Sequence, residues 1–505
     1  MPFDPERRTA WLPDLLYDGT HFDRDRTFVT DERAGHLSEI GFPDIPAAPR
    51  AVRLKNRALF PGLVNAHSHA FQRVIRGRTE FRSSERDTFW TWREMMYSAA
   101  ERLTPEDVYD ASRMAFLEMA LSGITTVGEF HYLHHNPDGT PYDDPNLLAK
   151  QVILAASDVG IRIALLRTAY ARPGFDAEPN PRQSRFITRD AGEFIEHTEE
   201  LRAELARGEQ AYAKQVRGDA PPPPGLTPRG GRLARERVPL AWVGVAPHSV
   251  RAVPLEYLRE VAAYARARKR VVHMHVAEQP AEVEACRAEY GRTPVALLSE
   301  EGLLDERFTA VHAIHVTTGE AHLLGSSRAH ACACPTTERN LGDGVVPADL
   351  FFDRGVRVAL GTDSHAQIDL LEDARELELN LRLAKLSRAV LPPAASDNPS
   401  IKPPPRPSSL AARLFECATA SGATSVGGRA LERARPGDFF TVALDDPSIA
   451  GAGDDDLLAA VVFSSARAAV REVCVGGRLI VENGRHFAQE EIVARFSALQ
   501  RKLWG

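Results

Sequence analysis

An apolar run that ends in two histidines one residue apart, Pro61-Gly-Leu-Val-Asn-Ala-His67-Ser-His69, is the first place where this chain could do chemistry. On a β-strand, side chains alternate between faces, so His67 and His69 point the same way and form half of a metal site. Three later apolar runs end in a similar manner: Val271-Val-His273-Met-His275-Val-Ala-Glu278, Val311-His312-Ala-Ile-His315 and Leu360-Gly-Thr-Asp363-Ser-His365. Imidazoles and carboxylates are costly to bury unless they are paired or bound to a metal, so the coincidence of four such endings argues for a shared cation. Three imidazoles and one carboxylate suit Zn²⁺, and Fe²⁺ or Mn²⁺ accept the same donors. A divalent cation in such a set lowers the pKa of its water from about 15.7 to about 7, which makes a nucleophile at neutral pH. His273 lies deeper in its run and reads as a satisfied core histidine, while His315 stands open between loop and site.

These residues must be brought together by the elements that carry them. From Ala58 the chain alternates short β-rich runs with long amphipathic segments. Eight such runs are legible: Leu59–Ala66, Ile124–Phe130, Ile161–Thr168, Leu240–Ala246, Val271–Val276, Thr309–Ile314, Ala329–Cys334 and Val356–Gly361. Helical patterns run between them, at Asn146–Val159, Phe194–Ala206, Leu255–Lys269, Thr293–Glu301 and Leu370–Leu386. One more begins at Thr104-Pro105-Glu106-Asp107, where threonine can cap, proline suits the first turn and the acids favour the positive end of the helix dipole. Strand and helix alternating eight times predict a parallel (β/α)8 TIM-like barrel, whose chemistry lies at the C-terminal ends of the strands. An open doubly wound sheet is the alternative, weakened because no GxGxxG follows the first strand.

The flanks read differently. Residues 1–57 and 428–505 hold short strand-like runs, among them Ala460-Val-Val-Phe and a hairpin turning at Gly476-Gly477, with a final helix over Glu490–Leu503. They are expected to pair as one small β domain built from both termini beside the barrel of residues 58–427. The proline-rich stretches Gln210–Gly231 and Leu391–Ser409 read as extended surface loops.

Composition sets the bounds. The chain has 505 residues, 43% of them hydrophobic, and 62 basic against 69 acidic residues give a net charge of −7 with no long run of one sign. No nucleic-acid or anionic-membrane partner is expected from that balance, and no apolar run reaches the ~20 residues of a membrane span. Five cysteines without a CxxC pair, and an N-terminus lacking a signal-peptide core, lead to a cytoplasmic expectation.

At His67-x-His69, His275 with Glu278, His312 and Asp363, the chain resembles the amidohydrolase superfamily. The resemblance implies a barrel with a β-sandwich of both termini, and one metal ion held by His67, His69, His275 and Asp363. Members with two metals carry a bridging carboxylated lysine after strand four; here that strand ends Ala246-Pro-His248-Ser, with no lysine. Longer blocks are similar to the formimidoylglutamate deiminase family of bacterial histidine breakdown: Asn65-Ala-His-Ser-His-Ala-Phe-Gln72-Arg, Phe89-Trp-Thr-Trp-Arg93-Glu-Met-Met-Tyr, Glu129-Phe-His-Tyr132-Leu-His-His, His273-Met-His-Val-Ala-Glu-Gln279 and Pro335-Thr-Thr-Glu-Arg-Asn-Leu-Gly-Asp-Gly344. That likeness implies hydrolysis of N-formimidoyl-L-glutamate to N-formyl-L-glutamate and ammonia, with a homodimer expected. Catalysis then falls to Glu278 as proton donor, Asp363 as proton acceptor and His312 as stabiliser of the developing oxyanion. Arg93 and Arg251 would hold the two substrate carboxylates, with His248, Gln72 and Tyr132 as further substrate contacts. The competing expectation is a deaminase or dechlorinase acting on a purine, pterin or triazine ring.

Overall fold

The computed structural model describes residues 8–24, 26–31, 36–41, 50–80, 89–175, 177–178, 180–216, 241–391, 408–427 and 437–505. Eight parallel strands follow one another around a barrel, numbered here within it: β1 (Leu63–Ser68), β2 (Ile124–His131), β3 (Arg162–Ala169), β4 (Ala241–Pro247), β5 (Val272–Val276), β6 (Phe308–His312), β7 (His330–Ala333) and β8 (Arg357–Leu360). Neighbours in sequence are neighbours in space throughout. β1, β2 and β3 are buried along their whole length, as strands covered on both faces must be, which is why they read as continuous apolar runs.

The barrel closes at the residues of interest. The His69 amide donates to the Asp363 carbonyl at 3.1 Å, and the Asp363 amide donates to the His67 carbonyl at 3.0 Å. Closure this tight demands a small residue at the end of β8: a Cβ on Gly361 would sit 2.7 Å from His67 Cβ. Several non-glycine residues at this rim have positive φ, including Ala277, His312, Ala313, Asp363 and His365. Such conformations cost energy and persist only where the surroundings fix them.

Nine strands from both ends of the chain form a single second sheet, in the order Arg485–His486, Arg478–Glu482, Val470–Val475, Phe439–Ala443, Arg50–Pro61, Arg8–Tyr17, Thr27–Asp31 and His36–Gly41, with Phe22–Asp23 paired to Arg8–Tyr17. The expected sandwich of both termini is thus one continuous hydrogen-bonded sheet with a small core of its own around Trp11, Phe28 and Phe439. Arg162, at the start of β3, ties the barrel to this sheet through Asp438 at 2.5 Å, both side chains being buried.

Three local expectations are corrected. The run Leu59–Ala66 is two strands: Arg50–Pro61 belongs to the small sheet, and the chain enters the barrel at Gly62, where a Cβ would collide with Thr125 Oγ1 at 2.3 Å. Ala460-Val-Val-Phe lies in a helix, Leu457–Ser464, because a uniformly apolar segment buried among helices carries no period that marks it as a strand. Residues 210–216, expected as loop, belong to the helix Ala191–Val216. Residues 217–231 and 392–407 of the proline-rich stretches lie outside the described residues. The capped start at Thr104 is found as expected, with a reciprocal capping box to Asp107. No described helix is long and apolar enough to cross a membrane, and all five cysteines are buried, with none in a disulfide.

Candidate metal centre and active site

β1, β5 and β8 deliver His67, His69, His275 and Asp363 to one point at the barrel mouth. One donor atom from each lies within 4.8 Å of all the others. Asp363 Oδ1 is 3.4 Å from His67 Nε2 and 3.3 Å from His69 Nε2, and the Nε2 atoms of His67 and His275 are 3.2 Å apart. All four side chains are buried.

Two rings are held by backbone. His69 Nδ1 donates to the Phe130 carbonyl at 2.9 Å and His275 Nδ1 donates to the His248 carbonyl at 3.2 Å. A carbonyl can only accept, so these contacts place the proton on Nδ1 and leave the Nε2 lone pairs directed inward. Burial pushes His67 down to about 3, so its ring is neutral. For Asp363, burial opposes ionisation, but the hydrogen bond from His67 and the positive charge of His312 outweigh it and hold the carboxyl below its ordinary range. The Nε2 atoms of three imidazoles and the Asp363 carboxylate therefore converge, and His67 Nδ1 is left without a hydrogen-bond partner among the described residues. The donor set fits a divalent cation of the zinc type.

A second group of residues stands beside this cluster. His312, at the end of β6, has Nε2 3.6 Å from Glu278 Oε1 and 3.7 Å from Asp363 Oδ2. Burial works to lower the His312 pKa, yet the carboxylates of Glu278, Glu338 and Asp363 prevail and raise it well above its ordinary value. Burial raises the Glu278 carboxyl against the pull of His312.

All the residues singled out as substrate contacts line one cavity that reaches this cluster: Gln72, Arg93, Tyr132, His248 and Arg251, together with His69, His275, Glu278, His312 and Asp363. Gln72 Nε2 donates to the Tyr132 hydroxyl at 2.7 Å, both side chains being buried. The Arg93 guanidinium stacks over Tyr97, 5.4 Å from its ring centre. Arg251 donates to the Pro173 carbonyl at 3.3 Å, and no described carboxylate lies within ion-pair distance of it. His67 alone of the expected residues is not in the cavity lining; it lies behind His69 and His275, fully buried. His273 is bonded in the core, its Nε2 donating to the Ser425 carbonyl at 3.0 Å, and His315 Nε2 donates to the Asp343 carbonyl at 2.9 Å.

Sequence reasoning missed the residues that hold the site together. Glu129, on β2, accepts from Ser68 Oγ at 2.5 Å and from the Ala70 amide at 2.7 Å, clamping the backbone on either side of His69. Its signal was present: a carboxylate inside an all-buried strand must have partners. Asn65 and His365 are a similar pair around Thr362, with Asn65 Nδ2 donating to Thr362 Oγ1 at 2.7 Å and His365 Nδ1 3.1 Å from the same hydroxyl. Glu338, which accepts from His312 Nδ1 at 3.2 Å, stood in a block already recognised but without a role.

Known proteins share this chain's family and fold. The amidohydrolase family pattern matches residues 58–480. A formimidoylglutamate deiminase of Pseudomonas aeruginosa is 34% identical over 441 residues, covering 87% of this chain and 88% of its own. A 5-methylthioadenosine/S-adenosylhomocysteine deaminase of Syntrophomonas wolfei is 26% identical, covering 89% and 88%. Among solved structures, an amidohydrolase from Brucella melitensis superposes with a TM-score of 0.82 at 30% identity, over 99% of this chain and 100% of its own. An adenosine deaminase from Xanthomonas campestris with bound zinc shares the fold, with a TM-score of 0.74 at 20% identity over 98% of each chain. Barrel, buried donor cluster and a match over most of its length together lead to one conclusion: the chain belongs to the amidohydrolase family, as a hydrolytic enzyme acting on a C–N bond.

Proposed function

We propose that the chain hydrolyses N-formimidoyl-L-glutamate to N-formyl-L-glutamate and ammonia. One observation carries the reading: a single cavity is lined by Glu278, His312 and Asp363 and by two guanidiniums, Arg93 and Arg251, as a substrate with two carboxylates requires. The 34% identical deiminase supports it. A bidentate guanidinium–carboxylate pair contributes about 1.5–3 kcal/mol.

His67, His69, His275 and Asp363 would hold one divalent cation, Zn²⁺ by the character of the donors, with Fe²⁺ or Mn²⁺ as alternatives. A single ion is inferred because the end of strand four, Ala246-Pro-His248-Ser, carries no lysine to bridge a second one, and Glu338 Oε1 beside the cluster already accepts from His312 Nδ1 and the Cys334 amide. When bound, the cation supplies Lewis-acid polarisation and acidifies a water. Asp363, with Oδ1 toward the histidines of β1 and Oδ2 toward His312, takes the proton of the attacking water. Glu278 gives a proton to the formimidoyl nitrogen, which makes the amidine carbon electrophilic. His312 stabilises charge on the new oxygen as the tetrahedral carbon forms. Collapse passes the proton held on Asp363 to the departing amine and breaks the C–N bond, while the hydroxyl proton returns to Glu278, so that ammonia leaves and the formyl group remains. Gln72, Tyr132 and His248 complete the substrate wall. The same reading carries a place in histidine breakdown, a cytoplasmic location in keeping with five free cysteines, and a homodimer, which sedimentation checks.

A second reading has its own support. Trp92, Tyr97, Tyr132, Tyr170 and Phe186 also line the cavity, and aromatic faces suit a planar purine, pterin or triazine ring. Ammonia release from formimidoylglutamate, formimidoylaspartate, formimidoylglycine and guanine separates the two. The first reading expects formimidoylglutamate to be turned over best and guanine not at all; turnover of guanine alone would replace it with the second.

A further inference from the structure

We propose that Glu338 is a positioning residue for His312, fixing the ring so that only Nε2 is presented to the reacting atoms. The inference rests on the role given to His312 above.

The geometry is built for that task. The helix Pro335–Leu341 carries Glu338 in its first turn, and Glu338 is buried. One carboxylate oxygen, Oε1, takes both the His312 Nδ1 proton at 3.2 Å and the Cys334 amide at 2.8 Å. The helix cannot drift from this place. Thr336 donates to Asp373 through its amide at 3.0 Å and its hydroxyl at 2.8 Å, and Thr337 Oγ1 lies 3.1 Å from Ser364 Oγ, beside Asp363. The following turn is held as well, since Gln279 donates to Asp343 next to Glu278.

His312 needs such support. Its backbone has a φ of +66°, a conformation that a side chain with a Cβ rarely adopts. Two carboxylates, Glu278 and Asp363, attract the ring from the Nε2 side, and Nε2 itself has no hydrogen-bond partner among the described residues. Glu338 is the group on the Nδ1 side. Without it no described hydrogen bond opposes rotation of the ring toward either carboxylate, leaving only its stacking on His275, and the angle at which Nε2 meets an incoming oxygen is lost.

Glu338→Ala and Glu338→Gln test this in the metal-loaded enzyme with formimidoylglutamate. Glutamine keeps an acceptor for both Nδ1 and the Cys334 amide, so it should retain the fold and restore most of the rate. Alanine should lower kcat about 10- to 100-fold, as loss of a partner that orients a site ligand does, with KM and metal content changed by less than about twofold. A positioning residue acts through its neighbour, so Glu338→Ala added to His312→Gln should slow the enzyme by no more than about twofold further. A crystal structure of the alanine variant needs no substrate, and should show the His312 ring turned away from Asp363. The proposal is overturned by an unmoved ring, by a kcat within about twofold of the parent, or by losses that multiply in the double variant. Failure of the parent to turn over formimidoylglutamate would count against the substrate assignment alone, since the ring position is read independently.

Discussion

The donor cluster and the substrate wall occupy the same cavity but are held by different means. In the cluster, His69 and His275 are oriented by the main-chain carbonyls of Phe130 and His248. Along the wall, most side chains are held by side chains: Gln72 on Tyr132, Gln183 on Tyr170, Glu338 on His312, with Arg251 on the Pro173 carbonyl as the exception. A carbonyl survives replacement of the residue that bears it, whereas a side-chain partner does not. The cluster should therefore tolerate changes in its neighbours and fail only when a donor is removed, while the wall should pass each substitution on to the next residue.

The sharpest way to break the contrast is at a donor. Asp363→Ala removes both a donor of the cluster and the proposed proton acceptor, and should abolish metal retention and ammonia release together; metal content by elemental analysis checks it. Arg251→Ala should lower kcat/KM for formimidoylglutamate about 10- to 100-fold with metal content unchanged, given the worth of a guanidinium–carboxylate pair. An unaltered kcat/KM would remove Arg251 from the carboxylate role.

A third prediction concerns the support of Gln72. The turn Ala70–Ile75 is anchored through Arg73 and Arg76, which bind Glu118 at 2.5 and 2.6 Å. Burial alone would raise the Glu118 carboxyl, but Arg76 and Arg73 outweigh it and hold the pKa below its ordinary value. A carboxyl depressed by folding stabilises the protein above its unfolded pKa of about 4.3 and loses that contribution as pH falls through the folded value. Glu118→Gln should thus cost about 2 kcal/mol at neutral pH, less than for a fully buried pair, and the gap from the parent should close in acid. Urea denaturation at two pH values measures it.

The smallest expected effects compare the two regions directly. Tyr132→Phe removes the acceptor of Gln72 and should reduce kcat/KM by about fivefold, one hydrogen bond's worth. Phe130→Leu keeps the carbonyl that orients His69, and should leave metal affinity unchanged while costing about 1 kcal/mol in stability through looser packing against the His67, His69 and His275 rings. Loss of metal in the leucine variant would show that ring packing, not the carbonyl, holds the donor.

The same division explains what the sequence made legible. The period of two along β1 aligned His67 with His69, and the rule that chemistry collects at strand ends drew His275, His312 and Asp363 together, because both depend on local geometry. Glu129, Asn65 and Glu338 escaped notice because their partners lie 61, 297 and 26 residues away, and spacing says nothing about contacts made by closing a barrel. The strand expected over Leu59–Ala66 merged two sheets because its apolar character is continuous; the Pro61-Gly62 pair was the break, legible as punctuation but outweighed by hydrophobicity. The Ala460-Val-Val-Phe segment failed for the opposite reason, since helix and strand burial look alike when every residue is apolar.

Diffraction from crystals of the metal-loaded enzyme, collected on either side of the zinc absorption edge, tests the central claim most directly. The account predicts one anomalous peak within coordinating distance of His67 Nε2, His69 Nε2, His275 Nε2 and Asp363. A peak elsewhere, or none at any transition-metal edge in an enzyme that still releases ammonia, would contradict it.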